Sequence, residues 1–98
     1  MRSMALFETT RIDITTDTEV GRYGHIRTTT ITGSHGNAQH CSFGLLHGEG
    51  RDWWVTETGA DGTQHTLLVR RTKRGAVEAF ANLVTARAAQ WAAHRDTI

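Results

Sequence analysis

Three histidines, the only cysteine and five glycines fall within eighteen positions, GSHGNAQHCSFGLLHGEG, residues 33–50. Imidazole nitrogen and thiolate are the ligands zinc prefers, so a metal centre is the first chemistry to weigh. The spacing speaks against it. His35 stands in the glycine turn GSHGN, while His40 and Cys41 are neighbours in a segment that reads as strand. Neighbours in a strand point to opposite faces and do not share an ion. His40 and His47 are seven residues apart, roughly 23 Å along an extended chain. No spacing matches a zinc finger or knuckle. The stretch reads as two strands and their turns, with no metal and no cofactor expected.

Other reactive groups reduce in the same way. Cys41 beside Phe43 reads as a buried structural thiol, because a reactive thiolate needs exposure and positive surroundings. Glu57 and His65 face each other across a hairpin and suit an acid–base couple, but a cross-strand ion pair is the commoner outcome. The GEG and GADG segments are turn glycines. No phosphate loop, dinucleotide fingerprint, nucleophile elbow or HExxH helix occurs. A non-enzymatic role is expected. A small metal-dependent enzyme using His65, Glu57 or histidines from two chains is the third-ranked reading.

The elements that position these groups follow from composition and period. Ninety-eight residues suit one small domain, residues 1–98, with one core. Charged residues are 21% and the net charge is +1, so a charged partner must be recognised by a local patch. One cysteine excludes an internal disulfide and suits a reducing cytoplasm. The apolar run at the start ends at Phe7, too short for a signal peptide, and no stretch suits a membrane span.

Residues 5–71 are rich in threonine, isoleucine, valine and aromatics, with repeated glycines, and read as a strand meander. Residues 73–95 are alanine-rich and read as one helix, with Thr72 as its N-cap. Val77, Phe80, Ala81, Val84, Ala88 and Trp91 form its apolar stripe. At 1.5 Å per residue the helix reaches roughly 34 Å, longer than a six-residue strand of about 20 Å. Its end, with Ala88, Trp91 and Ala92, is therefore expected to overhang the sheet and meet a second copy, making a homodimer. The predicted fold is α+β: an antiparallel meander of four or five strands, with the long helix across one face.

Turns set the registers. Ala60-Asp61-Gly62 suits a three-residue hairpin loop, pairing Val55 with Leu67 and Trp53 with Val69. Gly48-Glu49-Gly50 suits a similar loop, pairing Leu45 with Trp53 and Phe43 with Val55. These registers place Cys41, Phe43, Leu45, Trp53, Val55, Leu67 and Val69 on the core face. Upstream, Ile12 and Ile14 alternate inward. Ile26 and Ile31, five apart, fall on opposite faces, so the strand is either bulged or buried on both sides; a bulge near Gly24 or Thr28 is the favoured reading.

Two features suggest binding. In this register Trp54 points away from the core, beside Leu46, Leu68 and Arg70 and across from Gly44, as a stacking platform. The run RRTKR carries Arg70, Arg71, Lys73 and Arg74 at the start of the helix, where basic side chains suit a bound anion. An exposed aromatic beside a basic corner is how small folds hold single-stranded nucleic acid. The element order, strands and then one helix, also resembles that of the Whirly-type single-strand binders and their coactivator counterparts, which work as oligomers. The first-ranked function is single-stranded nucleic acid binding, with Trp54 stacking a base and the basic corner holding phosphates. The second is a protein-interaction module, such as an inhibitor, an immunity protein or a phage-encoded host-interaction factor. The near-neutral charge favours the latter.

Overall fold

The computed structural model describes residues 2–7, 9–36 and 41–96, and side chains within them except those of Cys41 and residues 94–96. Six strands follow in sequence: β1 (Arg2–Phe7), β2 (Thr10–Gly21), β3 (Gly24–His35), β4 (Cys41–Glu49), β5 (Asp52–Thr58) and β6 (Gln64–Arg70). One helix, α1 (Lys73–Asp96), ends the chain. The strands form one antiparallel sheet in the order β1-β2-β3-β4-β5-β6, a pure meander with α1 on one face. The α+β architecture is as expected, but the sheet has six strands rather than four or five. The addition is β1, whose short apolar run MALF gave little strand signal. No helix among the described residues is long and apolar enough to cross a membrane.

The helix forms where the stripe predicted. Thr72 caps it, its Oγ1 accepting the Gly75 N–H at 3.0 Å. Ala76, Val77, Phe80, Ala81, Val84 and Ala88 are buried on its inner side. Against them lie Ile12 and Ile14 of β2, Ile31 of β3, Leu46 of β4 and Val55 of β5. Each large aliphatic or aromatic side chain withdrawn from water contributes roughly 1.5–3 kcal/mol. Gly33 lets helix and sheet approach, and Gly44 makes room for its neighbours within the sheet. A Cβ on Gly33 would lie 2.5 Å from Val84 Cγ2 and 3.0 Å from Ile12 Cδ1. A Cβ on Gly44 would lie 2.8 Å from the Thr56 carbonyl oxygen and from Val55.

A chain of hydroxyls ties the middle of the helix to the sheet. Thr85 donates to the Ala81 carbonyl at 2.9 Å, so its oxygen must accept from Thr10, 2.7 Å away. Thr10, with its only proton spent, must accept from His35 Nδ1 at 2.6 Å. The carbonyl at the end of the chain therefore selects the Nδ1–H form of His35. Thr10 is 1% exposed, and a hydroxyl this deep needs the partner it has.

The hairpin registers differ from expectation in one decisive place. At the β5–β6 turn the predicted pairing holds: Glu57 faces His65, and Gly62 takes the left-handed conformation at φ 82°. Beyond it a bulge between Val55 and Thr56 shifts the ladder by one. Val55 then meets Leu68 and Trp54 meets Val69. Val69, expected inside, is exposed, while Leu67 and Leu68 are both half-buried against the core.

The β4–β5 turn is the larger correction. It is the two-residue Gly50-Arg51, not Gly48-Glu49-Gly50, and Trp53 meets Gly48 instead of Leu45. That three-residue displacement is odd, so every β4 side chain changes face. Leu46 goes into the core, and Phe43 and Leu45 come out to the uncovered side. The Cys41 side chain lies outside the described ones.

The β2–β3 ladder runs unbroken from Thr10↔His35 to Gly21↔Gly24, with no bulge at Gly24 or Thr28. None is needed, because Ile26 never reaches the core. The β1–β2 ladder ends at Thr15 and the β3–β4 ladder at Thr30. Residues 16–21 and 24–29 thus form a two-stranded arm without lateral neighbours, carrying exposed Val20, Tyr23 and Ile26. The longest dimension of the molecule is 51 Å.

The close helix–sheet approach at Gly33 yields a first prediction. Gly33→Ala should destabilise the fold by roughly 1–3 kcal/mol, because neither Val84 nor Ile12 has room to give way. Chemical denaturation should show a lower midpoint at unchanged slope, and a midpoint equal to the parent's would contradict the packing.

Candidate functional site

The side of the sheet away from α1 is open. By strand alternation it carries Met4 and Leu6 of β1, Phe43, Leu45 and His47 of β4, Trp54 of β5 and Val69 of β6, with Thr15, Thr30 and Thr32 between them. Arg2, Arg11 and Asp13 also lie here. Asp13 receives both arginines, at 3.4 Å from Arg2 and 3.1 Å from Arg11. The charges at this edge are therefore mutually engaged.

Trp54 does stand outside the core, but its neighbours are not those expected. Its ring stacks on His47 at 5.3 Å between centroids and 17° between planes. His47 Nε2 lies 3.1 Å from the Thr56 hydroxyl, which fixes the orientation of the imidazole. Leu46 and Leu68, predicted to flank Trp54, pack on the other side of the sheet; Leu46 is 4% exposed. The glycine under an aromatic ring is also a different pair: Trp53 covers Gly48, where a Cβ would sit 2.6 Å from ring carbons.

The basic corner is likewise on the helix side. Arg70 pairs with Trp53 across the strands and donates Nη1–H to the Val69 carbonyl at 2.7 Å. Lys73 Nζ lies 5.8 Å from the Trp53 ring centroid. Arg74 sits 3.6 Å from Glu78, an exposed pair one helical turn apart. Arg71 lines a shallow depression with Arg51 and Asp52. Trp54 and the corner of Arg70, Lys73 and Arg74 therefore occupy the same end of the sheet but opposite faces.

Between them opens a cleft of 890 Å³. Its walls are Thr16, Thr18, Arg27, Thr28 and Thr29 of the arm, residues 45–49 of β4, Trp53 and Trp54 of β5, and Lys73 of α1. It exists because β3 and β4 stop pairing at Thr30↔Leu45 while both run on. Sequence reasoning missed both this cleft and the exposure of Phe43. The run IRTTTITG, residues 26–33, had an available signal in Ile26, an isoleucine out of phase with the core, which marked where the strand leaves the sheet.

The remaining candidates are structural in their contacts. Glu57 accepts Nη1–H and Nη2–H of Arg87 at 3.0 and 3.1 Å, a bidentate pair joining β5 to the helix. His65 stands opposite Glu57. His35 is engaged by Thr10, and His40 lies outside the described residues. Among the described residues no three histidine, cysteine or acidic side chains converge as metal ligands. At the helix end Ala88 is buried, Ala92 half-buried and Trp91 40% exposed. Ala88 thus serves the core rather than an overhang.

Compared with known proteins, the chain matches no family, no curated protein and no solved structure.

The Glu57–Arg87 pair carries a pH prediction. Hydrogen bonding from Arg87 holds the Glu57 carboxyl below its ordinary value of 4.5, against burial, with help from the Arg87 and His65 charges. The unfolded chain then binds the proton more readily, so stability rises with pH across this window. The contribution is complete above pH 4.5 and fades as pH falls through the lowered folded value. Both side chains are partly exposed, so it should amount to no more than about 1 kcal/mol. Denaturation midpoints between pH 7 and 3 should fall less steeply for Glu57→Gln than for the parent; parallel curves would exclude the pair as a source of stability.

Proposed function

We propose that this protein is a non-enzymatic module that binds a protein partner across the open face of its sheet. One observation carries the reading. Met4 is 58% exposed, Leu6 67%, Phe43 57% and Val69 50%, all on the face that the helix leaves bare. Large apolar side chains spread over one sheet face mark an interaction surface. The arginines of that face are committed to Asp13, and the near-neutral net charge supplies no long-range field for a polyanion.

Single-stranded nucleic acid is the second reading, and the stacked His47–Trp54 pair favours it as a base platform. It needs a strand that passes from Trp54 around the sheet end to Arg70, Arg71, Lys73 and Arg74. Self-association through Trp91 and Ala92 is compatible with either reading.

Phe43→Lys with Val69→Lys should separate them. Both positions are exposed, so the variant should fold, and its circular dichroism and melting should match the parent's. Proteins retained by the immobilised parent at about 1 M salt, where the screening length is roughly 3 Å, should be lost at least tenfold on the variant; each apolar chain withdrawn from contact is worth roughly 1.5 kcal/mol or more. Equal retention by parent and variant would overturn the open-face reading.

A labelled single-stranded oligonucleotide, titrated at about 50 and about 200 mM salt, gives the complementary result. No binding at the lower salt is expected. Binding that weakens steeply with salt, and that Trp54→Ala reduces by about 1–3 kcal/mol, would install the nucleic-acid reading instead.

A further inference from the structure

The cleft between the arm and β4 is bordered by two strands that have each lost a partner. Beyond Leu45, β4 pairs only with β5, through Leu46↔Val55, His47↔Trp54, Gly48↔Trp53 and Glu49↔Asp52. Before Thr30, β3 pairs only with β2. In a strand, alternate residues turn both N–H and C=O toward the same neighbour. Alternate residues on each border therefore direct unpaired backbone groups into the cleft. Unpaired strand edges are templates for another strand. These two lie inside the sheet order rather than at its margin, facing one space.

Strand alternation also divides the cleft by chemistry. On the helix side, in phase with Ile14 and Ile31, stand Thr16, Thr18, Arg27 and Thr29 of the arm, with Trp53 and Lys73 opposite. Arg27 and Lys73 make no ion pair among the described residues. The first turn of α1 holds no acidic residue, so its positive end adds to the field there. On the open side stand Leu45, His47, Glu49 and Trp54 of the sheet, with Thr28 of the arm. The helix side carries the cations Arg27 and Lys73 beside Trp53, and the open side carries Leu45, His47 and Trp54 with the carboxylate of Glu49 at its outer end.

We propose that this cleft receives an extended segment of a protein partner, which adds to β4 as a strand and alternates acidic with apolar side chains. The acidic set faces Arg27 and Lys73, and the apolar set lies against Leu45 and the His47–Trp54 stack. Residues 46–49 offer about 13 Å of edge, so the segment has four or five residues in contact. Main-chain hydrogen bonds supply the affinity and the alternating side chains the selectivity. The inference rests on the proposal that the partner is a protein, and adds the mode of recognition.

The probe is the blocked pentapeptide acetyl-Val-Glu-Val-Glu-Val-amide, titrated into isotope-labelled full-length protein to about 2 mM, the range where a contact of this size saturates. Backbone amide signals of residues 46–49 and 27–29 should shift together, and amide hydrogen exchange at residues 46–49 should slow. The same peptide N-methylated at alternate residues should not bind, because it lacks the donors a strand must present. Lys73→Ala and Arg27→Ala, both at exposed positions, should each weaken binding about two- to fivefold, the span of an exposed ion pair.

Absence of shifts at residues 46–49, or equal binding of the N-methylated peptide, overturns strand addition. A single-stranded oligonucleotide that produces the same shifts and displaces the peptide would assign the cleft to nucleic acid and also overturn it. Phe43→Lys with Val69→Lys keeps the two proposals distinct: peptide binding should survive it while open-face retention is lost. If peptide binding fails and retention persists in the parent, only the mode of recognition is wrong.

Discussion

The surface of this protein depends on where the Trp53 ring rests. It lies over Gly48, the one position on that stretch of β4 where bare backbone can lie beneath it; a methyl there would overlap the ring at 2.6 Å. With Trp53 across from Gly48, Leu46 must fall opposite Val55 in the core and His47 opposite Trp54 outside it. A slip by one residue would bury the imidazole and expose the leucine, which the helix above does not tolerate. The aromatic stack on the open face is thus a consequence of a packing contact on the closed one.

The same register explains why the exposed aromatic and the basic corner do not form one patch. The sheet places Trp54 on one face and Arg70 and Lys73 on the other, so an aromatic platform and a cationic corner are close in space but separated by backbone. Only the cleft at the end of β4 reaches both. It opens because the β2–β3 hairpin runs past its neighbours: β1 ends against Thr15, and β4 turns away after Thr30. A two-stranded arm is marginal alone in water. The threonines along it support it locally, as in the Thr16–Thr29 contact at 3.1 Å, while the apolar tip at Val20, Tyr23 and Ile26 remains uncovered.

Helix and sheet are held by complementary means along their length. In the middle, Gly33 brings the layers close enough for Phe80 and Val84 to lose all but a trace of exposure. Toward the C-terminal half of the helix, direction replaces volume: the Thr85–Thr10–His35 relay and the Glu57–Arg87 fork fix which helical face meets the sheet. Apolar packing tolerates sliding more readily than paired polar groups do, so these contacts set the position of α1 along the strands.

The sequence by itself determined the helix, its cap at Thr72, the α+β class, the β5–β6 turn at Gly62 and the inward direction of Ile12, Ile14, Trp53 and Val55. These follow from local period and turn chemistry, which act within a few residues. Tertiary structure alone decided the face of β4, the bulge beside Thr56 and the cleft, and of the arm the sequence carried one trace, the out-of-phase Ile26. Two glycine turns were chemically acceptable around Gly48 and Gly50, and nothing local separates a two-residue loop from a three-residue one. The difference lay in a Trp53 ring needing bare backbone and a helix needing Leu46 beneath it. Those are contacts across strands and layers, and an odd shift of register, which reverses every face of the strand, was enough to move Phe43 from the expected core to the open surface.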